Sequence, residues 1–250
     1  MCMKAPQFLC ALLAASALNL SAQVLPDNPV VLQGVVRAAH QGPFHWGLFL
    51  PAPLVLDGLR TNWVRIDPEA QGVGDYADRF VEATGTLHIE MDSGAVANAT
   101  LVGSRIKERY PDGTVRQNVQ LSYTQRSVVT LAIAPMKFMW RDSIGDSTSA
   151  RPLVLFELAN QGDTPLHLGF PRSEVLCVRV RSLMPGVIAD TSWAVVQPGV
   201  RQASIVMGQR YRMIFELPRG AAPLRGRYRL RAELCTASPY GAETTFEISR

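Results

Sequence analysis

Residues 153–170 read Leu-Val-Leu-Phe-Glu-Leu-Ala-Asn-Gln-Gly-Asp-Thr-Pro-Leu-His-Leu-Gly-Phe, two alternating runs separated by a polar turn. In the first run Val154, Phe156 and Leu158 share one face, which is the period of a β-strand. The turn at 160–165 is rich in Gly, Asp and Pro, which favour chain reversal. The pattern predicts a hairpin of two short strands, and the chain after about residue 127 is expected to pack against it as further strands.

The flanking sequence predicts a mainly all-β protein of two domains. Residues 128–250 contain short alternating runs separated by Pro and Gly turns, the pattern of a β-sandwich. Residues 23–127 predict three strands, one short helix near 73–80 and further strands, the element order of an OB-like barrel. We therefore expect an N-terminal OB-like β-barrel with one short helix, followed by a C-terminal immunoglobulin-like β-sandwich. The boundary is predicted between residues 127 and 128.

Residues 160–173, Asn-Gln-Gly-Asp-Thr-Pro-Leu-His-Leu-Gly-Phe-Pro-Arg-Ser, resemble the hallmark of the BsuPI-type domain, the family of bacterial intracellular proteinase inhibitors. Residues 207–211 are similar to that family's turn before a strand, and residues 226–230 to its closing strand. The chain departs from the family pattern at 174–177 and at 185–188. The resemblance covers roughly residues 153–234 and implies an immunoglobulin-like sandwich with protease-inhibiting activity.

The first 22 residues have the pattern of a secretory signal peptide. Lys4 provides a positive charge, residues 8–17 are apolar, and Ala22 stands before the predicted cleavage point. The apolar run is shorter than the roughly 20 residues that a membrane-spanning helix needs. We therefore expect an exported mature protein, periplasmic or extracellular, without a transmembrane segment.

The predicted export determines which cysteines remain in the mature protein and whether they are expected to pair. Cys2 and Cys10 would leave with the signal peptide, so Cys177 and Cys235 remain, and an oxidising compartment favours a disulfide between them. Each of the two alternates in register with nearby arginines, which places both on the outer face of a sheet. A bridge therefore requires two neighbouring strands of one sheet. The sequence leaves the paired and the free state open.

Positive charge is concentrated in the second domain. Residues 23–127 contain 9 Lys and Arg against 11 Asp and Glu, a net of −2, whereas residues 128–250 contain 15 against 10, a net of +5. Arginines at every second position predict a basic stripe on one face of a strand. The stripe either docks an acidic partner (a protein, an anionic polysaccharide or phospholipid head groups) or serves as a solvated face that protects the sheet. The candidate partner-binding residues are Arg179, Arg181, Arg225, Arg227, Arg229 and Arg231.

Other functional classes find little support in the sequence. The sequence contains no nucleophile elbow, phosphate-binding loop or zinc-protease motif, so we predict no catalytic, cofactor-binding or metal-binding residues. Nucleic-acid binding is not expected, because the positive charge lies outside the OB-like domain and we expect the protein to be exported. His40, Phe44, His45 and Trp46 form a candidate loop site, and the alternative is an aromatic cap on the barrel. Two histidines lack the third ligand of a tight metal site.

The sequence as a whole predicts an exported, non-catalytic protein-binding module, with proteinase inhibition as the narrower function that the BsuPI resemblance implies. The alternative is a structural or envelope-associated accessory protein that uses the sandwich for assembly. The partner, a protease or another protein with an acidic surface, is not identified by any motif.

Overall fold

The structure of the protein, a computed structural model, describes residues 29–39, 45–56, 59–91, 97–140, 151–238 and 240–249. Within these ranges nearly all regular structure is β-strand, so the predicted all-β class is confirmed. The predicted signal peptide, residues 1–22, lies outside them, as do His40 and Phe44 of the candidate loop site.

The first five strands close into a barrel in the order β1-β2-β3-β5-β4. Strands β3 and β5 are parallel, and the other neighbours are antiparallel. Gly34 lies where β1 passes closest to β2, because a Cβ there would collide with the carbonyl group of Phe49. Strand β2 loses its regular pairing between Phe49 and Leu54, at its two prolines. The strands are β1 (Pro29–Ala39), β2 (His45–Leu56), β3 (Leu59–Ile66), β4 (Phe80–Met91) and β5 (Ala97–Glu108).

The predicted short helix near 73–80 is reduced to one turn of 3-10 helix at Val73–Tyr76. Gly72 precedes it with a left-handed φ of 71°, and glycine is a poor helix former. Ala77 then forms a bridge with Val36, which draws the chain back to the barrel before a second turn can form. The description of this barrel as OB-like stays a prediction from the order of its elements.

The remaining strands form two sheets that pack face to face, with a small third sheet beside them. A five-stranded sheet has the order β12-β11-β15-β16-β8, a four-stranded sheet the order β14-β9-β7-β6, and β10 pairs with β13. Val154, Phe156 and Leu158 of β9 lie fully buried in the shared core, as their alternation predicts. The strands are β6 (Val115–Gln120), β7 (Arg126–Ala134), β8 (Lys137–Phe138), β9 (Leu153–Asn160), β10 (Leu166–Gly169), β11 (Glu174–Ser182), β12 (Asp190–Val196), β13 (Gln202–Ile205), β14 (Arg210–Glu216), β15 (Gly226–Leu234) and β16 (Gly241–Ile248).

The hairpin predicted for residues 153–170 does not form, although both of its strands do. Strand β9 lies between β7 and β14, whereas β10 pairs with β13 in the separate small sheet. Asn160, which is buried, gives the physical reason. Its amide nitrogen donates to the carbonyl oxygens of Thr164 at 2.9 Å and Ile205 at 2.8 Å, and these bonds direct the chain out of the sheet.

The predicted domain boundary at 127/128 also differs from the sheet pairing. Strand β6 pairs with β7 and therefore belongs to the second unit, so the sheets change at residues 109–114. The turn there contains Gly113, whose φ of 71° suits glycine. The closed barrel leaves no free edge for a sixth strand, and β6 finds its hydrogen-bonding partner in the next strand of the chain.

The barrel packs on the outer face of the four-stranded sheet. Val35, Phe49 and Phe80 from the barrel form a buried cluster with Ala134 and Leu153 of the sandwich. Both faces of β9 are consequently buried, one by the sandwich core and the other by the barrel. The barrel thus covers the outer face of the four-stranded sheet, whereas the outer face of the five-stranded sheet is open.

Candidate partner-binding face

Strands β11 and β15 lie side by side at the centre of the five-stranded sheet. Arg179 stands opposite Arg231, and Arg181 stands opposite Arg229. Cys177 and Cys235 form a disulfide with their Cα atoms 5.5 Å apart. The structure therefore joins the two arginine runs on one surface, as pairing of the cysteines requires. We call the outward side chains Arg179, Arg181, Arg227, Arg229 and Arg231 the arginine face.

Carboxylates from the same sheet neutralise much of the arginine face. Like charges directly opposite each other destabilise a sheet, so these arginines need partners. Arg179 forms an ion pair with Asp190, with its Nε at 2.7 Å from Oδ1. Arg231 pairs with Glu233 at 2.7 Å, and Glu243 lies 3.6 to 3.7 Å from Arg231 and Arg229. The arginine face therefore carries interspersed positive and negative charges, and not the purely basic stripe that the sequence indicated.

These ion pairs shift the pKa values of the paired side chains in the expected directions. The hydrogen bond from Arg179 holds the pKa of Asp190 below its ordinary value. The hydrogen bond to Glu233 raises the pKa of Arg231. These side chains lie at the surface, exposed or half-buried, and surface ion pairs contribute little to stability. Their main effect is therefore on the electrostatic surface presented to a partner.

A concave part of this surface, about 800 Å³ in volume, lies beside Cys177. Small side chains of Cys177, Ser192 and Ala194 contribute to its lining, together with the charged pairs described above. Because those charged groups already form ion pairs with one another, the depression has a defined shape but no strong electrostatic field.

The opposite end of the arginine face differs in character. Among the residues that the structure describes, Arg181, Arg225 and Arg227 form no ion pair. Three large apolar side chains are exposed in the adjoining loops, at 39% for Leu183, 100% for Ile188 and 53% for Leu224. We call Leu183, Ile188 and Leu224 the apolar loop end.

Backbone contacts hold these two loops beside the unpaired arginines. The amide of Leu183 donates to the carbonyl oxygen of Arg227 at 2.8 Å, and the amide of Ser182 donates to that of Ala189 at 2.8 Å. The hydroxyl of Tyr228 donates to the carbonyl oxygen of Leu224 at 2.7 Å. Cationic and aliphatic groups therefore lie together at one end of the sandwich.

The candidate loop site in the barrel is only partly described. His45 and Trp46 begin β2, and the ring of His45 meets Trp63 edge-on with 6.4 Å between centroids. Trp46 is half-buried and packs against the barrel core, as the cap alternative predicts for this residue. Within the described part of the chain, no three His, Cys, Asp or Glu side chains are grouped so that they could hold a metal ion.

A cluster that the sequence did not indicate links the barrel to the sandwich. Glu157 of β9 is 2% exposed and accepts hydrogen bonds from Tyr110 at 2.8 Å and from Nε of Arg212 at 2.9 Å. Arg212 also donates to Glu108 at the end of β5, at 2.6 Å. We call these residues, with Arg79 and Arg210, the seam cluster.

Arg79 and Arg210 are the outer members of the seam cluster. Arg79 donates to Glu108 at 3.0 Å, and Arg210 donates to the hydroxyl of Tyr110 at 2.8 Å. Burial, and then the hydrogen bond to Glu157, raise the pKa of Tyr110, so the phenol stays neutral and keeps its proton as a donor. The pairs join residues as far as 104 positions apart, which no local sequence pattern could reveal.

The seam cluster predicts a specific dependence of stability on pH. Burial alone would raise the pKa of Glu108, but the hydrogen bonds and charges of Arg212 and Arg79 lower it below its ordinary value. The folded state then binds fewer protons here, so this contribution is complete above the unfolded pKa and is lost as pH falls through the folded one. We expect urea midpoints measured from about pH 6 down to about pH 3 to fall more for the wild type than for Glu108→Gln. Parallel curves for the two proteins would contradict this assignment.

The fold and the surface define a class: a β-sandwich protein with one covered sheet and one open, charged sheet. No protein-family model matches the chain, and a search of curated proteins finds no match either. In the part of the chain that the structure describes, no helix has the length and apolar character needed to cross a membrane.

Proposed function

We propose that the protein is an exported, non-catalytic protein-binding module whose partner docks at the apolar loop end and the unpaired arginines beside it. The observation that carries the proposal is that backbone bonds from Ser182 to Ala189 and from Leu183 to Arg227 hold the loop of fully exposed Ile188 beside these arginines. Arginine is enriched at protein interfaces, and the fully buried core of an interface is more apolar than the rest of the surface. Export rests on the signal pattern of residues 1–22.

The charge distribution favours a protein over a polyanion. Anionic polysaccharides and lipid head groups are attracted by an extended field of one sign. The arginine face instead alternates cations with Asp190, Glu233 and Glu243, and in the described part of the chain its arginines without a close ion pair lie at one end. A partner protein that presents a compact acidic patch next to an apolar side chain fits that end best.

The narrower proposal is proteinase inhibition by an immunoglobulin-like domain of the BsuPI type. Its support is the resemblance of residues 153–234 and the exposure of the loop at 183–188, where Ile188 projects into solvent. An inhibitor of this kind needs an accessible loop that a protease cleft can receive. Inhibition assays with a panel of exported proteases test this version.

The broader proposal is tested with single substitutions at the apolar loop end. The mature protein is immobilised and presented with exported proteins of its source, and the affinity of any retained protein is then measured. We expect Ile188→Asp and Arg181→Glu each to weaken that affinity at least tenfold. Arg172→Glu is the matched control, because Arg172 is exposed in the bend that precedes β11, away from the end of that strand where Arg181 lies. Retention that is equal for Ile188→Asp and Arg172→Glu, or no retention at all, would refute the proposal.

A further inference from the structure

The seam cluster borders a pocket of about 380 Å³ between the barrel and the sandwich. Arg79, Glu108, Gly208, Arg210 and Arg212 line it. Ligand sites occur preferentially at the junctions between domains, and this volume suits a small group. The pocket lies on the side of the four-stranded sheet and is therefore separate from the arginine face.

The charges of the seam cluster do not balance. Three arginines, Arg79, Arg210 and Arg212, face two carboxylates, Glu108 and Glu157. An arginine side chain does not lose its proton in proteins, so the surplus positive charge cannot be removed by titration of these groups. Arg212, only 17% exposed, already pairs with both carboxylates at 2.6 Å, so the surplus positive charge lies at the outer arginines, Arg79 and Arg210. One further negative charge would balance the cluster.

The arginines have the donors to receive such a charge. The hydrogen bonds of the seam cluster use Nη1 of Arg79, Nη1 of Arg210, and Nε and Nη2 of Arg212. Each guanidinium carries five N–H groups in a planar fork. These bonds engage three of them on Arg212 but only one each on Arg79 and Arg210, so the free donors lie mainly on the two outer arginines. Side chains of Arg79 and Arg210 are 43% and 48% exposed, so a ligand can reach them from solvent.

We propose that this pocket binds a carboxylate group. A carboxylate supplies the single negative charge that the cluster lacks, and its two oxygens match the guanidinium fork. A phosphate dianion would overcompensate the charge and would be repelled by Glu108 in the pocket wall. The carboxylate belongs either to a small organic acid or to the C-terminus of a peptide.

Calorimetric titration at constant ionic strength tests the proposal. The probes are acetate, an N-acetylated tripeptide with a free C-terminus, the same tripeptide amidated, and inorganic phosphate. We expect saturable binding of at least one free carboxylate, no binding of the amide, and weaker binding of phosphate. Binding of acetate identifies small acids as sufficient, whereas binding of the peptide acid alone identifies a chain terminus.

Two substitutions locate the site. Arg210→Gln removes the surplus charge and leaves the pair of Arg212 and Glu157 in place, so we expect affinity at least tenfold lower. Arg229→Gln is the matched control, with a side chain of similar exposure, 52%, on the other sheet. Both variants are first checked for the cooperative thermal unfolding of the wild type. The proposal is overturned by equal binding of acid and amide, by phosphate binding more tightly than the acids, by no saturable binding, or by equal effects of the two substitutions.

Discussion

Replacing Cys177 and Cys235 together by serine is expected to lower the free energy of unfolding by roughly 4 kcal/mol. The disulfide joins positions 58 residues apart, and closing a loop of that length restricts the unfolded chain by about this amount in the chain-entropy account. A whole domain is typically stable by about 5–15 kcal/mol, so the loss would be a large fraction of the total.

Urea unfolding of the wild type with and without reductant, alongside the double serine variant, measures this effect. The reduced wild type and the variant should unfold at similar, lower urea concentrations than the oxidised wild type. The single variant Ser192→Ala, on the same face as Cys177, serves as a control that should change the midpoint little. Coincident transitions for the oxidised wild type and the double variant would show that the bridge contributes nothing to stability.

The positions of the cysteines and arginines show which features of the fold can be predicted from the alternation of residues along a strand. Side chains alternate along a strand, so Cys177 and Arg179 could be assigned to one face without coordinates. Bridging two outward cysteines requires neighbouring strands, and the observed pairing of β11 with β15 meets that condition. The carboxylates opposite the arginines could not be assigned in the same way. Their positions depend on the registers of β12 and β16, which local sequence does not specify.

Strand pairing is where sequence-based expectations failed. Residues 153–160 and 166–169 are strands as predicted, yet tertiary contacts of Asn160 send the second to a different sheet. Strand β6 likewise follows a well-formed turn but pairs forward with β7 instead of backward with the barrel. A separately expressed fragment 128–250 would therefore lack an edge strand of its sheet. Alternation identifies strands, whereas the choice of neighbour depends on the whole assembled fold.

The seam cluster was missed for a related reason. Glu157 interrupts an otherwise apolar strand, and by periodicity alone it is an ordinary solvent-facing residue. It is buried because the barrel covers the outer face of β9, and its charge is tolerated because Arg212 and Tyr110 reach it. A single acidic residue in a strongly apolar run was the only local signal of that environment.

Replacing Arg212 by methionine is expected to destabilise the protein by about 3–5 kcal/mol. Removing one member of a buried ion pair leaves the other charge without compensation in a poorly solvated site. Glu157 would keep only the hydrogen bond from Tyr110 and a 3.6 Å approach of Arg210. Arg212 also links Glu108 of the barrel to β14 of the sandwich, so its loss weakens the junction between the two units.

Chemical denaturation of Arg212→Met and of Arg229→Met provides the comparison. Arg229 lies on the open sheet at 3.7 Å from Glu243, and its removal should cost less than about 1 kcal/mol, as for other exposed pairs. Equal losses for the two variants would show that burial does not amplify the cost at Arg212.

The double variant Arg212→Met with Glu157→Leu separates the two possible sources of the loss. If the cost arises from leaving the carboxylate of Glu157 buried and unpaired, removing that carboxylate should restore most of the stability, because an apolar pair often replaces a buried ion pair without penalty. If the ion pair itself contributes the stability, the double variant should be at least as unstable as Arg212→Met. We expect recovery, since Glu157 is only 2% exposed and its neighbours in β9, Phe156 and Leu158, are fully buried.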